Sequence, residues 1–333
     1  MELLQRIIAQ LFSCLYKNKK LKVLKFLLSE REVNNIMYRS GKFLVKKLID
    51  LPTDSRYKQE ANMFKDNVEN IIDSEETDLR KLQLVILEIM KVIDEMCRAN
   101  NIEYWIDSGT LLGSVRHGGF IPWDDDCDIC MKREDYEKFE KIAGTNLPEG
   151  LFYDSKHTVN RCQKEVNIQP SFAKIYYLGH FKGYERASGE KCMGTFVDIF
   201  PCDSVNEKML NKKWCKALNR ISYFRKTRPS KFRDHIKLFL QNIKVENIWI
   251  DYCKRAKEKK LTDSIVYGVD TPFMDNRWRH RNEVVFPLKE YDFEGYKFYG
   301  PSDYDTYLKK YYGDYMSFPP EEERVPHIID LEL

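Results

Sequence analysis

Four aspartates stand within five residues of one segment, WDDDCD at 123–128. Side chains alternate along extended backbone, so Asp124, Asp126 and Asp128 are expected on one side of it. Three like charges on one face repel each other, and a divalent cation is the usual remedy. Carboxylate oxygens favour Mg2+ or Mn2+. The spacing therefore predicts a Mg2+ or Mn2+ site; the alternative, a solvated acidic turn, is disfavoured by the apolar residues around it.

Two further charges stand alone in apolar segments downstream. Asp198 lies in GTFVDIFP, which has the pattern of a buried strand, and an isolated carboxylate is costly to bury unless it is paired or binds metal. Asp198 is therefore the expected third ligand of the site begun by Asp126 and Asp128. Lys174, in FAKIYY, is expected either to contact a phosphate or to extend into solvent.

The stretch before the aspartates has the features of a phosphate-binding turn. Residues 102–107 are predicted to form a strand, and Thr110–Val115 to begin a helix whose free N–H groups point back toward the strand end. Arg-His-Gly-Gly follows at 116–119, where glycine lets backbone approach a ligand and arginine can bind phosphate oxygens. An ordinary glycine-rich turn is the alternative. The candidate substrate-binding residues are Gly109, Thr110, Arg116, His117, Gly118 and Lys174.

Cys127 and Cys130 form a C-x-x-C pair, which can indicate zinc or redox chemistry. A second pair of matching spacing is absent from the sequence, and both thiols are expected to lie off the carboxylate face as small buried groups. Nine cysteines are scattered along the chain without a cleavable signal pattern, which predicts reduced thiols in the cytoplasm.

Helices and short strands are expected to position these residues. Apolar residues at helical spacing predict a long helix from Leu79 to Met96 that ends at Asn100 and Asn101. Residues 51–73 indicate a connector or short helices. The other predicted elements are a helix at 133–143, strands at 151–154, 172–178 and 194–200, turns at 293–295 and 300–301, and a helix at 302–311 capped by Ser302.

Two basic tracts stand on an otherwise acidic chain. Residues 1–50 carry eleven Lys or Arg against four Asp or Glu, and residues 207–260 carry seventeen against five. The first tract has amphipathic helical spacing, so it is expected either to lie on an anionic membrane or to pack on the protein with a solvated basic face. The net charge of +3 does not indicate a nucleic-acid partner. No apolar run is long enough for a transmembrane helix.

The C-terminal segment is rich in aromatic residues and prolines from Val266 onward. Such a wall can stack a nucleobase, enclose a quaternary ammonium group by cation–π attraction, or simply pack. The sequence leaves these alternatives open.

These motifs together resemble the LicD family, which includes fukutin and fukutin-related protein. The resemblance is carried by YWIDSGTLLGSVRHGGFIPWDDDCDI and VDIFP, then by FPL, FEG, YLKKYYGDYM and PPEEER in the same order from about Leu79 to His327. It implies an α+β fold: a DNA polymerase beta-like nucleotidyltransferase core with a small mixed sheet flanked by helices. The implied organisation is a basic helical region at 1–73 and a catalytic domain at 74–333 with a helical insertion at about 205–262.

In that superfamily a small-residue turn follows one strand, two carboxylates lie one residue apart on the next, and a third lies on a later strand. Here the resemblance maps them to Gly109 and Thr110, to Asp126 and Asp128, and to Asp198. Leu112-Gly113-Ser114 also matches the turn by spacing, but Gly109 directly follows the strand. Asp124 is implied as a further ligand or as a residue that orients one, and Asp107 is a weaker candidate.

The resemblance implies a metal-dependent transferase. It would move phosphocholine or a polyol phosphate from a CDP-activated alcohol to a sugar hydroxyl of a surface glycan such as lipopolysaccharide, teichoic acid or capsule, releasing CMP. The same carboxylates would serve nucleotidyl transfer from a nucleoside triphosphate. A noncatalytic glycan-assembly protein at the membrane is the third alternative. The expected location is the cytoplasm, peripheral to the inner face of the membrane through residues 1–50.

Overall fold

The computed structural model describes residues 55–155, 172–181, 184–186, 191–192, 194–205, 263–268, 279–326 and 328–329. Apart from Ser55, they belong to the larger of two compact units, Arg56–Lys156 with Cys162–Leu333. The predictions for residues 1–50 and for the basic insertion beyond Val205 fall outside the described residues.

The described residues form a mixed α+β structure, as predicted. Its helices are α1 (Ser55–Ile72), α2 (Asp78–Ala99), α3 (Ser108–His117), α4 (Arg133–Asn146), α5 (Asn282–Val285) and α6 (Tyr304–Tyr312), with a 3-10 turn at Glu321–Glu323. Its strands are β1 (Tyr104–Ile106), β2 (Cys127–Lys132), β3 (Leu151–Asp154), β4 (Ala173–Tyr177), β5 (Tyr184–Arg186), β6 (Lys191–Cys192), β7 (Thr195–Val205), β8 (Ser264–Tyr267), β9 (Arg279–Arg281), β10 (Lys289–Phe293), β11 (Tyr296–Gly300) and β12 (Ile328–Ile329).

A seven-stranded mixed sheet lies at the centre of this unit. Its strand order is β1-β2-β7-β4-β3, with β8 paired to the end of β7 and β9 paired to β8. Only the β2–β7 pairing is parallel among these; the others are antiparallel. β7 runs five residues beyond the predicted strand, because β8 supplies backbone partners for its last four residues. A β10–β11 hairpin and a small β12-β5-β6 sheet complete the described strands.

The long helix α2 forms much of the core. Leu82, Ile86, Ile89 and Ile93 follow the predicted spacing, and all four are fully buried; burying a side chain of this size contributes about 1.5–3 kcal/mol. α2 contacts β7, so it covers the central strand of the sheet. The predicted end is confirmed: Asn100 is the C-cap, and its backbone N–H donates to the carbonyls of the last turn.

Three other helices differ from prediction. α1 is one helix of 18 residues rather than a connector, because it packs Phe64 and Val68 into the core. α4 continues past Gly144 to Asn146, since an exposed helical glycine costs only about 1 kcal/mol. α6 is capped by Asp303 instead of Ser302: the Asp303 carboxylate accepts a hydrogen bond from the Thr306 N–H at 3.1 Å.

The boundary predicted at residue 73 stays a prediction. In the part of the chain that the structure describes, no helix combines the length and apolar character needed to span a membrane.

Candidate functional site

The two central carboxylates lie side by side on neighbouring strands. In the parallel β2–β7 pairing Asp128 is in register with Asp198, so both side chains project from the same face of the sheet. On its other side Asp198 is in register with Lys174 of β4. The Lys174 Nζ forms an ion pair with Oδ1 of Asp198 and lies 3.5 Å from the Phe196 ring centroid. The structure thus brings Lys174 to the carboxylates, while its predicted contact with phosphate stays a prediction.

The remaining aspartates occupy the loop that leads into β2. Asp124, Asp126 and Asp128 are partly exposed, whereas Asp125 is buried, which agrees with the predicted alternation. Asp125 nevertheless has a carboxylate oxygen within 4.8 Å of oxygens of Asp124 and Asp126. Sequence alternation placed Asp125 on the opposite side and therefore missed it as a possible fifth carboxylate donor beside Asp124, Asp126, Asp128 and Asp198.

The site gathers carboxylates whose charges disfavour ionisation of Asp128. Burial raises the pKa of Asp128 well above its usual value, and the charges of Asp126, Asp198, Asp107 and Asp124 raise it further, in that order. The donor atoms are carboxylate oxygens, the ligands preferred by Mg2+ and Mn2+. The residues present therefore fit a hard divalent cation.

The strand-to-helix turn before α3 is fastened to the acidic strand. Ser108 adopts a left-handed φ of 48°, which turns the chain sharply from β1 into α3. The Thr110 Oγ1 accepts a hydrogen bond from the Asp128 N–H at 2.8 Å, and the Asp107 N–H donates to the Asp128 carbonyl at 3.0 Å. Both bonds fix the backbone from which the Asp128 carboxylate projects.

Glycine at position 109 is explained by close approach to an aspartate. A Cβ there would lie 2.7 Å from Oδ2 of Asp124, so only glycine leaves that carboxylate in place. At Gly113, by contrast, a Cβ would meet the carbonyl oxygen of Gly119. Gly109 is therefore the glycine of the turn that faces the carboxylates, which agrees with the preference stated from sequence.

The acidic loop is also held by α2 and by the β10–β11 turn, and sequence reasoning assigned no role to the residues that do this. Gln83 donates from Nε2 to the carbonyl of Asp124 at 2.9 Å. Arg80 binds both oxygens of Glu294, at 3.0 and 2.6 Å, and Glu294 also accepts from the Phe120 N–H at 3.1 Å. The available signal was the FEG segment, in which Glu294 takes a φ of 52° at the hairpin turn.

Asp107, a weaker candidate from sequence, is a fully buried carboxylate at the start of α3. Its Oδ1 accepts a hydrogen bond from the Tyr307 hydroxyl at 2.6 Å, and its Oδ2 accepts from the Tyr267 hydroxyl. Burial, and then the Asp107 charge, raises the pKa of both tyrosines well above the usual value, so both hydroxyls remain protonated donors. These bonds link Asp107 to β8 and to α6.

The expectation that both cysteines lie off the carboxylate face is wrong for Cys130. Cys127, Cys130 and Cys202 are buried and free, and burial raises the pKa of each thiol. Cys130 lies two residues beyond Asp128 on the same strand and therefore projects from the same face. Its Sγ donates to Oδ2 of Asp107 at 3.3 Å. The thiol is thus a structural neighbour of the carboxylates.

Arg116, His117 and Gly118 lie at the other end of α3. The Arg116 Nη1 donates to the carbonyls of Tyr315 and Ser317, at 2.9 and 3.3 Å, and its Nε donates to Nε2 of His117. Burial lowers the pKa of His117, and the neighbouring Arg116 lowers it further. Gly118 has a φ of 72° and caps the helix. The predicted phosphate contacts of these residues stay predictions.

A mixed sheet with a carboxylate pair on parallel strands, next to a small-residue turn into a helix, defines the class: an α+β protein with an acidic site whose oxygen ligands suit phosphate chemistry. A family model described as "LicD/FKTN/FKRP, nucleotidyltransferase domain" matches residues 101–249. The lipopolysaccharide cholinephosphotransferase LicD of Haemophilus influenzae is 30% identical over 283 residues, covering 75% of this chain and 96% of that protein. The chain therefore belongs to the LicD family, and it is a phosphotransferase.

Other relatives match over shorter parts. An uncharacterized protein of Rickettsia prowazekii is 25% identical over 256 residues, 76% of this chain and 64% of its own length. The ribitol 5-phosphate transferase FKRP of Homo sapiens and its counterpart in Mus musculus are 37% identical over 90 residues, 27% of this chain but only 17% of theirs.

Proposed function

We propose that the protein transfers a phosphorylated alcohol from a CDP-activated donor to a sugar hydroxyl of a surface glycan or glycolipid and releases CMP. The observation that carries this proposal is the register of Asp128 beside Asp198, with Asp124 and Asp126 in the adjoining loop. The cholinephosphotransferase activity named for the Haemophilus relative, which this chain covers almost completely, favours phosphocholine as the transferred group. Ribitol 5-phosphate, named for the shorter FKRP match, is the second candidate.

We infer a nucleotidyltransferase-type core for the described sheet. Three features support it: the turn at Gly109 and Thr110 between β1 and α3, the carboxylates at the start of β2, and Asp198 on the parallel neighbour β7. The family description agrees with this inference.

In the proposed reaction Asp124, Asp126, Asp128 and Asp198 hold Mg2+ or Mn2+. When bound, the cation neutralises the donor diphosphate and the departing CMP and helps to align the acceptor oxygen. Asp198 would either bind the cation that activates the acceptor hydroxyl or take the proton of that hydroxyl. Lys174 pairs with Asp198 and keeps its carboxylate in place. Gly109 leaves space for the Asp124 carboxylate at the N-terminal turn of α3, where free N–H groups favour an anion.

Nucleotidyl transfer from a nucleoside triphosphate remains the second candidate, because the same carboxylates would serve it. It would release pyrophosphate from CTP rather than CMP from CDP-choline, so product analysis separates the two reactions. A noncatalytic glycan-assembly protein is the third candidate. The mutually repelling carboxylates argue against a noncatalytic protein, since a carboxylate cluster of this kind has a clear use only when it binds a cation.

The experiment is metal-dependent release of CMP from CDP-choline, CDP-ribitol and CDP-glycerol. Asp126→Asn and Asp198→Asn are each expected to abolish release while the fold is retained. Asp126→Asn removes a repelling charge and should keep the melting temperature, whereas Asp198→Asn breaks the buried ion pair with Lys174 and should lower it. Asp292→Asn is the matched control, since the Asp292 side chain is 74% exposed and, among the described residues, forms its ion pair with Lys297 at the surface. Unchanged CMP release by either site variant would refute the proposed mechanism.

We also propose a cytoplasmic protein that associates peripherally with the inner face of the membrane through residues 1–50. The excess of basic residues in this tract supports the proposal. Flotation with anionic vesicles tests it: the full chain should float with the vesicles, and a chain lacking residues 1–50 should not. Equal flotation of both would contradict it.

A further inference from the structure

Three aromatic rings and two guanidinium groups form a patch at the end of α3, which we call the basic aromatic patch: His117, Trp123, Phe318, Arg116 and Arg324. The His117 ring lies 6.3 Å from Trp123 and 5.6 Å from Phe318, centroid to centroid. Arg116 lies 4.9 Å over the Phe318 ring, and Arg324 lies 5.3 Å from Phe318 and 5.9 Å from Trp123. Phe318 keeps 53% of its surface exposed. The patch therefore offers an aromatic face to a ligand.

The patch adjoins the carboxylates directly. Trp123 immediately precedes Asp124 in the acidic loop. Tyr312, at the end of α6, interacts electrostatically with both groups: burial and then nearby acids, including Asp128 and Asp124, raise its pKa, and its hydroxyl also acts on Arg116. A ligand that reaches the carboxylates with its phosphates can therefore extend over the patch with its remaining half.

The charge of the patch decides which half of such a ligand it suits. Two guanidinium groups already lie over the rings, so a quaternary ammonium group placed there would meet like charges. A planar nucleobase has no such conflict, because it stacks on aromatic rings and guanidinium planes alike, and the attached phosphates are attracted to arginine. Burial and the charge of Arg116 favour neutral His117 at pH 7.

We propose that the basic aromatic patch binds the nucleotide half of the donor, with the base stacked on Phe318 beside Trp123 and Arg324 facing the phosphates. The alcohol half then lies on the far side of the carboxylates from the patch. This inference rests on the proposed function, and it selects nucleobase stacking from the roles that the aromatic segment leaves open.

The test measures binding of CMP and CDP by calorimetry in the presence of Mg2+. Phe318→Ala is expected to weaken CMP binding about tenfold, the usual effect of losing one base–aromatic stack. Phe318→Trp should preserve binding, and Phe318→Leu, which keeps apolar volume without a π face, should behave like alanine. Arg324→Ala should weaken CDP binding more than it weakens binding of cytidine. Phe152→Ala is the matched control, because Phe152 is 40% exposed on β3 and outside the patch.

Phosphocholine is the second probe, and its binding should be the same in the wild-type protein and in Phe318→Ala. If Phe318→Ala binds CMP as the wild type does while the wild type still releases CMP from CDP-choline, the inference is wrong and the proposed function stands. If Phe318→Ala loses phosphocholine but retains CMP, the patch holds the alcohol half and the inference is also wrong. If the wild type binds neither CMP nor CDP and turns over no CDP-alcohol, the proposed function is wrong, and the inference, which rests on it, is wrong as well.

Discussion

Replacing Gly109 with alanine would displace one proposed metal ligand while leaving the fold intact. The added Cβ would lie 2.7 Å from Oδ2 of Asp124, and ordinary van der Waals contact begins at 3.4 Å, so the carboxylate must retreat by about 0.7 Å. The obstructing atom is the end of a side chain, since the Asp124 Cγ is already 3.7 Å away. The carboxylate can therefore turn aside without moving the backbone.

The substitution separates activity from stability because the two effects have opposite signs. Gly109 lies in the first turn of α3, and alanine favours a helix over glycine by up to about 1 kcal/mol. Distances between a metal and its ligands tolerate only about 0.2 Å, which is far less than the displacement. The Gly109→Ala protein should therefore be as stable as the wild type or slightly more stable, and at least about tenfold weaker in its apparent affinity for Mg2+, the usual effect of disturbing the support of a ligand.

Gly144→Ala is the matched control for this prediction. Gly144 lies in α4, is exposed, and would have nothing within 4 Å of an added Cβ. The same change of residue should raise the melting temperature without altering the Mg2+ dependence of CMP release. Titration of Mg2+ in the release assay, with thermal unfolding measured in parallel, checks both proteins. Equal Mg2+ dependence in Gly109→Ala and the wild type would refute the reasoning.

Three further predictions concern the residues that support the site. His280 is buried against Tyr307, at 3.8 Å between ring centroids, and burial followed by the charge of Lys310 lowers its pKa to about 3. Below about pH 6.5 the unfolded chain therefore binds more protons than the folded chain, so the protein loses stability as the pH falls from 8 to 5. In urea unfolding, the His280→Phe protein should lose about 2 kcal/mol less over that range than the wild type. Burial raises the pKa of Glu294, but the hydrogen bonds and charge of Arg80 outweigh this effect and lower the pKa overall. Glu294→Gln should therefore cost about 1–2 kcal/mol of stability at pH 7, and progressively less as the pH falls below about 4.5 and through the pKa of the folded state. Tyr307→Phe removes a donor to buried Asp107 and should cost about 1–3 kcal/mol of stability in urea unfolding. A loss below about 0.5 kcal/mol in Glu294→Gln or Tyr307→Phe, or an unchanged pH dependence in His280→Phe, would contradict the assigned contacts.

Local information was sufficient to predict one half of the site. The alternation of Asp124, Asp126 and Asp128 against Asp125 follows from extended backbone alone. The burial of these residues agrees with it, but a carboxylate oxygen of Asp125 still lies within 4.8 Å of Asp124 and Asp126. Asp198 could be singled out because an isolated carboxylate in an apolar strand needs a partner. That its neighbours are Asp128 on one side and Lys174 on the other depends on strand order, which the strand patterns do not contain.

The contacts between the site and distant parts of the chain could not be predicted from the sequence. Arg80 and Glu294 are separated by 214 residues, so no local spacing connects them. Arg116 has the chemistry of a phosphate ligand, and only the position of the C-terminal segment shows that its Nη1 donates to main-chain carbonyls. The C-x-x-C spacing of Cys130 does not show which face of the strand it occupies, whereas alternation from Asp128 puts it on the carboxylate face.

Taken together, these distant contacts explain how repelling carboxylates stay in position. Tyr307 binds Asp107 at the start of α3, Tyr315 accepts from Arg116 at its end, and Glu294 binds Phe120 in the loop that follows. All three contacts come from the C-terminal segment, and none uses the carboxylates of Asp124, Asp126, Asp128 or Asp198. Because the scaffold is held by bonds outside the acidic group, the loss of one carboxylate relieves repulsion without releasing the turn. An asparagine variant of Asp124, Asp126 or Asp128 should therefore lose its metal before it loses its fold, whereas Asp198→Asn also removes the ion-pair partner of buried Lys174.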